Sequence, residues 1–211
     1  MKPTTLFLAL LLVMISEVPS VVSSPQQEEA VPVCGIKIPT GDRNMFLAAM
    51  DTMMINMANA PGDESAGIIF LQKMIPHHEC AMAMAMYEVQ HGRDFSMIQL
   101  AKSILIEQAS EVQQMRLWQK QKSTDISKST VGFQRDMDTA MNHMMATMPG
   151  SDKLRNTDYA FASVMKPHHQ AAVDMARAVL NVTKDRCIRA FASQLITSQQ
   201  IEIEQMVSYL K

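Results

Sequence analysis

The stretch Lys73-Met74-Ile75-Pro76-His77-His78-Glu79-Cys80 decides how this chain is interpreted, because it returns in similar form ninety-one residues later. The second copy reads Met165-Lys166-Pro167-His168-His169-Gln170-Ala171. On a helix, at about 100° per residue, both histidines of the first copy fall on the face that carries the apolar side chains. The repeat therefore predicts two helices, each with a buried histidine pair.

Buried histidines need partners for their ring nitrogens. A neutral imidazole has one hydrogen-bond donor and one acceptor, and leaving either unmatched in a core costs roughly 1–3 kcal/mol. One interpretation is that each histidine is only hydrogen-bonded inside a helical bundle. The recurrence of the pair with flanking methionines favours the other interpretation, in which the imidazoles and thioethers bind a metal ion.

Comparison of the two copies gives the candidate metal ligands, with one converging group expected in each half. Met82, Met86 and Cys80 have no match in the second copy and are additions of the first, and Cys80 is either a thiolate ligand or an inert buried thiol. The candidate set is Met54, Met57, Met74, His77, His78, Met84, Met115, Met141, Met144, Met165, His168, His169, Met175 and Met206.

Methionine is the compositional outlier, with 21 of 211 residues. Methionine can fill irregular cores because it is flexible and polarizable. Leucine, however, specifies a helical core better, so the excess suggests that the sulfur itself is needed. Thioether is a soft ligand, and with histidine in an exported chain it favours copper(I), with Ag+ as its mimic, over zinc or iron.

The N-terminus predicts export. Residues 1–23 have the features of a secretory signal peptide, with Lys2, an apolar run over residues 6–15, and Ser20 and Ser23 near a cleavage site. The apolar run is short for a membrane span, and an uncleaved anchor is the alternative. We expect a secreted or periplasmic protein without a membrane span in the mature chain. The net charge of −2 and the lack of a basic block argue against nucleic acid as a partner.

Helix signals divide the remaining chain into two similar halves. Few aromatic residues and abundant methionine, alanine, glutamine and glutamate favour helix throughout, so the predicted fold is all-α with tandem duplicated three-helix units. The predicted helices cover residues 43–59, 63–90, 94–119, 133–147, 152–180 and 184–210. The predicted segments are a linker at 24–41, a first helical repeat at 42–121, a linker at 122–132 and a second helical repeat at 133–211.

The third helix of each repeat carries polar residues next to its buried stripe. Gln108 and Gln199 fall within that stripe, where an amide is costly unless it is bonded, so we expect them to contact the histidine pairs. Glu111 and Glu202 lie at the edge of the same face and either orient an imidazole or are solvated.

Two further features stay open at this level. Pro76 and Pro167 either kink the second helices or begin fresh ones. Cys34 and Cys187 form a candidate disulfide, since export permits one.

The segment from Phe70 and Leu71 through Met74, Pro76-His77-His78 and Ala81, with a downstream segment ending at Trp118, resembles the family called domain of unknown function 305. Members of this family are helical, ferritin-like bundles, and some bacterial periplasmic members are copper-binding proteins linked to copper resistance. The resemblance covers both copies and implies one or two ferritin-like bundles. The second copy departs from the family pattern because it has no counterpart of Trp118, which implies weaker binding or a mainly structural role there.

The leading hypothesis is an exported copper(I)-binding protein for copper sequestration, handling or resistance, with the metal ion and a copper donor or acceptor protein as partners and no catalytic activity. One alternative is a helical scaffold or interaction protein with a methionine-rich core. Another is a ferritin-like metalloenzyme, because Glu88 and His91 have the spacing of a di-iron ligand pair. The second copy lacks a counterpart of this pair, which disfavours the enzyme.

Overall fold

The computed structural model describes residues 44–121 and 127–211. Within these ranges the only strand-like pairing is an isolated bridge between Ser65 and Lys128. The described residues form a short 3-10 helix at Ser151–Lys153 and the α-helices α1 (Met45–Ala58), α2 (Ala66–His91), α3 (Phe95–Lys120), α4 (Val131–Ala146), α5 (Thr157–Leu180) and α6 (Arg186–Tyr209). The all-α prediction, with two three-helix units, is confirmed.

The two central helices begin later than the sequence predicted. Asp63 and Asp152 were the expected starts, but Ser65 and Asn156 cap the helices by accepting hydrogen bonds from backbone N–H groups of the first turn. Asp63 instead accepts a 2.7 Å hydrogen bond from the N–H of Ser65, and Asp152 lies in the short 3-10 helix. In each case the acidic residue belongs to the turn that precedes the cap.

α2 and α5 run without a break through Pro76 and Pro167. The alternative in which a fresh helix begins at each proline is therefore wrong. An interior proline cannot donate to the carbonyl four residues earlier, which here belongs to Gln72 in α2 and to Ser163 in α5. Both prolines are buried, and packing against the neighbouring helices keeps the backbone helical at these positions.

α2 and α5 lie at the middle of the molecule. These two helices contact each other. On one side α1 and α3 pack against α2, and on the other α4 and α6 pack against α5. Phe46 of α1 faces Phe161 of α5, and Phe70 of α2 faces Phe191 of α6, with ring centroids 6.3 Å apart in both pairs. Because apolar side chains from both repeats share one core, the two units close into one bundle.

Several predictions about the ends of the chain and the linkers fall outside residues 44–121 and 127–211. The predicted signal peptide and the whole of the first linker lie there, as does Cys34, the proposed partner of the exposed Cys187. At the end of the second linker, the N–H of Ser129 donates to the carbonyl of Glu64 at 2.7 Å, just before α2. Over the part of the chain that the structure describes, no helix is both long and apolar enough to cross a membrane.

Candidate metal centre

The two histidine pairs meet where α2 packs against α5. The rings of His77 and His168 are stacked, with centroids 3.7 Å apart and planes inclined by 33°. His78 lies 6.3 Å from His77, and His169 lies 5.9 Å from His168, between ring centroids. All four side chains are 0% exposed. We call these four residues the histidine centre, with His77 and His168 as its inner members and His78 and His169 as its outer members.

Antiparallel packing of α2 and α5 brings the pairs together. His77 opposes His168 near the middle of each helix, while Glu88 near the end of α2 interacts with Asp158 in the first turn of α5. Each histidine face is thus turned towards the other. The expectation of a separate converging group in each half is wrong, because both repeats contribute to a single centre.

Carboxylates from the third helix of each repeat hold the outer histidines. Nε2 of His78 and Oε2 of Glu111 are hydrogen-bonded at 2.8 Å, and Nε2 of His169 lies 2.8 Å from Oε2 of Glu202. A carboxylate can only accept a hydrogen bond, so this contact matches the tautomer of His78 that carries its proton on Nε2 and leaves the lone pair of Nδ1 available. Of the two roles that the sequence left open for the glutamates, the structure supports orientation of the imidazole.

Gln108 and Gln199 make no hydrogen bond to the histidine pairs that they were predicted to meet. Both amides are buried at 2% exposure, yet neither has a hydrogen-bond partner among the described residues. Each amide lies one helical turn before the glutamate that reaches the outer ring. The crossing of α3 over α2 therefore brings Glu111, rather than Gln108, to the imidazole.

Seven imidazole nitrogens of the histidine centre have no hydrogen-bond partner in the described residues: both nitrogens of each inner histidine, Nδ1 of each outer one, and Nε2 of His169. The last lies 2.8 Å from Oε2 of Glu202, a close ion-pair distance without hydrogen-bond geometry. Each unmatched buried polar atom costs roughly 1–3 kcal/mol, and native proteins hold few of them. Their concentration at one point is what a ligand-binding site requires, because a bound metal ion would satisfy nitrogen lone pairs that the protein leaves unmatched.

The inner histidines are neutral at physiological pH. Burial lowers the pKa of His77 well below its usual value, and the nearby His78 and His169 lower it further. Burial likewise lowers the pKa of His168, followed by the influence of the other three imidazoles. A neutral imidazole keeps one lone pair, which is the form that binds a metal ion.

Four of the predicted methionine ligands lie close in sequence to the histidine centre or to the glutamates beside it, and we call them the flanking methionines. Met74 and Met165 precede the inner histidines by three residues, a spacing that places side chains about 5–6 Å apart on a helix. Met115 and Met206 lie one turn after the glutamates that hold the outer histidines. All four are 0% exposed. These four thioethers are thus buried within one helical turn, in sequence, of an inner histidine or of a glutamate beside an outer one.

Met84 and Met175 are also fully buried, but they lie further along the same helices. Each is six residues beyond the nearest outer histidine, which corresponds to about 9 Å along the helix axis. This separation assigns them to the adjoining core, one to two turns from the imidazoles.

The methionines of α1 and α4 are separate from these sets. Met54, Met57 and Met141 line a cavity of about 250 Å³ between the two helices, together with Met137, Lys73 and Asp138. Met144 lines a different cavity, of about 620 Å³, beside Pro167. The predicted methionine ligands therefore fall into three groups: the flanking methionines, those of the adjoining core, and those of the α1/α4 region.

The remaining candidates do not assemble a ligand set of their own. In residues 44–121 and 127–211, no three His, Cys, Asp or Glu side chains are placed to hold one metal ion, so a complete set needs thioethers. Cys80 is buried one turn after His77. The proposed di-iron pair does not converge, because His91 stacks on Tyr87 at 4.3 Å while Glu88 interacts with Asp158.

The pair formed by Glu88 and Asp158 was missed at the sequence level. Both side chains are buried, and Asp158 accepts hydrogen bonds from the N–H groups of Arg93 and Asp94 at 2.7 and 2.8 Å. One feature of the sequence indicated a buried glutamate. Glu88 follows Met84 by one helical turn and therefore lies on the buried face of α2. A charged residue on that face indicates a partner.

The fold and the histidine centre define a class of small helical bundles. Two central helices of the bundle, one from each repeat, each carry a buried His-His pair. The family model described as Domain of unknown function (DUF305) matches residues 24–119 and 67–210, and the chain belongs to this family. This confirms the resemblance inferred from the histidine motif.

Solved structures with the same fold include several of CopM. The Ag-bound form, obtained by soaking, has 27% sequence identity and a TM-score of 0.53, and the match covers 68% of this chain and 93% of that one. The Cu(I)-bound form has 27% identity and a TM-score of 0.52, with 68% and 94% covered. A DUF305 fragment from Deinococcus radiodurans, 22% identical with a TM-score of 0.51 and covering 71% and 98%, supports the fold.

A viral protein is similar over a shorter segment. "Uncharacterized protein L153" of Acanthamoeba polyphaga mimivirus is 42% identical over 53 residues, which is 25% of this chain and 35% of the viral protein. The chain thus matches about a third of the length of that relative, and the match adds no activity.

Proposed function

We propose that this chain is an exported copper(I)-binding protein, which sequesters the ion or passes it to another copper protein and catalyses no reaction. The observation that supports the proposal is the set of seven imidazole nitrogens without a hydrogen-bond partner in a fully buried centre. The similarity to CopM, which has Ag-bound, Cu(I)-bound and Cu(II)-bound forms, supports the same choice of metal.

The donor chemistry favours the monovalent ion. Neutral imidazole and thioether are borderline and soft ligands, which suit copper(I) better than zinc or iron. A buried site also stabilises a single positive charge more readily than a double one, because the desolvation cost rises with charge. The carboxylates of Glu111 and Glu202, behind the outer histidines, offset part of that charge.

Each residue of the centre has a distinct role in this proposal. The inner histidines offer a lone pair each, and Met74 and Met165 supply sulfur from the same helices. Glu111 fixes the orientation of His78, so that Nδ1 is the nitrogen available for binding. Bound copper would supply no reaction chemistry here, since the ion is cargo. Lys2 and the apolar run at residues 6–15 support export.

The test compares copper(I) affinity between the wild-type protein and the double variant His77→Leu/His168→Leu, by titration against a competing chelator under reducing conditions. Leucine replaces unmatched polar groups by apolar ones, which is neutral or stabilising in a core. We expect the variant to fold with an unchanged or higher Tm and to lose more than about 100-fold in affinity, beyond the 10–100-fold typical of residues that only support a ligand.

The control is His91→Leu, which removes a histidine that stacks on Tyr87 at the exposed end of α2. This variant should bind copper(I) like the wild type. Wild-type binding no tighter than that of an unfolded methionine-rich peptide would contradict the proposal and leave the scaffold hypothesis ahead. Iron uptake with oxygen consumption would instead support a metalloenzyme.

A further inference from the structure

A surface groove between α1 and α4 is lined by four thioethers. Met54 and Met57 come from α1, and Met137 and Met141 come from α4. Met57, Met137 and Met141 are between 2% and 7% exposed, while Met54 is partly exposed. We call these four residues the methionine groove. The groove is separate from the histidine centre and includes Met137, which was not among the predicted ligands.

We propose that the methionine groove is a second, outer binding site for a soft monovalent cation, Cu+ or Ag+, from which the ion exchanges with the histidine centre. This inference rests on the proposed copper function, because it adds an exchange site to the buried one. The groove offers neutral sulfur donors and no imidazole.

The donor set of the groove defines its selectivity. A thioether is soft and uncharged, so it binds Cu+ and Ag+ but does not compensate the desolvation of a divalent ion. Lys73 and Asp138 are the charged side chains that line the groove, and their charges are opposite. The groove therefore has no net charge that would repel a cation.

The groove gives an ion access to the thioethers. Its space of about 250 Å³ is open to the surface, and Met54 is partly exposed. Methionine has three rotatable side-chain bonds, so the four side chains can reorient towards a bound ion.

The groove lies next to the histidine centre along α2. Nζ of Lys73 donates to the carbonyl of Met57 at 3.2 Å, which joins the end of α1 to α2. Lys73 precedes His77 by four residues, or about 6 Å along the helix axis. The groove and the inner histidines thus adjoin successive turns of α2, which is the route that this inference requires for transfer.

The test uses the full chain labelled with [13C-methyl]methionine and titrated with Ag+, together with silver stoichiometry measured by native mass spectrometry. In the wild type, we expect the methyl resonances of the four groove residues to shift at a silver equivalent distinct from that of the histidine centre. The quadruple leucine variant at the groove should bind one Ag+ fewer and retain the other. It carries Met54→Leu, Met57→Leu, Met137→Leu and Met141→Leu.

The matched control replaces four methionines outside the groove and should keep the full silver stoichiometry. It carries Met86→Leu, Met97→Leu, Met145→Leu and Met148→Leu. Titration with Zn2+ should leave the groove methyl resonances in place. In His77→Leu/His168→Leu, silver should still shift the groove resonances.

Unmoved groove resonances in the wild-type protein, with silver still bound elsewhere, would overturn this inference and leave the copper function standing. The wild-type spectra decide this even if the quadruple groove variant does not fold. A wild-type protein that binds no Ag+ or Cu+ at all would instead overturn the copper function.

Discussion

The four histidines at the centre of the molecule have two kinds of surroundings. Each outer histidine has a carboxylate oxygen 2.8 Å from Nε2, which fixes the position of the ring. Each inner histidine has no hydrogen-bond partner in the described residues and is held by stacking and packing. The outer rings are therefore preorganised, while the inner rings depend on a ligand for their polar contacts.

Replacing Glu111 by alanine should weaken copper(I) binding by about 10–100-fold, the usual effect of losing a group that orients a metal-binding histidine. The reason is that His78 loses the acceptor that keeps its proton on Nε2. Competition titration measures the affinity, and long-range 1H–15N spectra of His78 report the tautomer, which a purely structural effect would leave unchanged.

Glu204→Ala is the control for this prediction, because Glu204 is exposed on α6. Its affinity should equal that of the wild type, and Glu111→Gln, which keeps an acceptor, should lie between the wild type and Glu111→Ala. An alanine variant with wild-type affinity and an unchanged His78 tautomer would remove the orienting role from Glu111.

At the level of helices, α2 and α5 are joined at a second point besides the histidine stack. Glu88 and Asp158 lie together near the end of α2. Burial raises the pKa of Glu88 to about 8, and the nearby carboxyl groups of Asp158 and Asp94 raise it further. Burial tends to raise the pKa of Asp158, but backbone N–H groups of Asp94 and Arg93 lower it overall. At neutral pH a protonated, uncharged Glu88 therefore lies beside an ionised Asp158.

This contact should make stability depend on pH. The folded-state pKa of Glu88 is above its ordinary value of 4.5, so its contribution is complete below about pH 4.5 and is lost as the pH rises through about 8. We expect the Tm of the wild type to fall between pH 5 and pH 9. Glu88→Gln carries an amide that stays uncharged at every pH, so its profile in thermal melts should be flatter. At pH 9 its Tm should exceed that of the wild type by at least about 2–4 °C, the shift for about 1 kcal/mol in a domain of this size.

The exposed Glu64 provides the matched control, since Glu64→Gln should keep the wild-type pH profile. Parallel profiles for the wild type and Glu88→Gln would mean that Glu88 does not titrate in this range. Tyr209, whose pKa is raised by burial and by the same three carboxyl groups, titrates at higher pH and does not affect the comparison.

Sequence patterns predicted the helices and the burial of the histidines, because both follow from helical periodicity within one segment. The meeting of His77 with His168 could not be predicted, since it depends on how two distant helices pack. The contact between Glu88 and Asp158 was hidden for another reason. Glu88 corresponds to Val179 in the second copy, and Asp158 corresponds to Gly67 in the first. A comparison that keeps only residues shared by both copies therefore omits Glu88 and Asp158.

At the level of the whole molecule, the histidine centre bridges the two repeats. His77 and His78 come from the first repeat and His168 and His169 from the second, and the apolar core is also continuous between them. A ligand held by both pairs binds only the assembled bundle. Its binding energy therefore adds to the stability of the complete fold.

Silver binding should raise the Tm of the whole chain in a single transition. At a free ion concentration 100-fold above Kd, linkage gives about 2.7 kcal/mol of added stability, which corresponds to about 5–11 °C in a domain of this size. Differential scanning calorimetry with and without Ag+ measures the shift. Two separate transitions, with only one responding to silver, would show that the ion is held within one repeat.

The stacked imidazoles also bear on the origin of the chain. A protein with one repeat could build this arrangement only as a homodimer, so its assembly would depend on concentration. Joining two copies in one polypeptide replaces that encounter by a high effective concentration. Each half is then free to diverge. Glu88 of the first repeat corresponds to Val179 of the second, and Asp158 of the second repeat corresponds to Gly67 of the first.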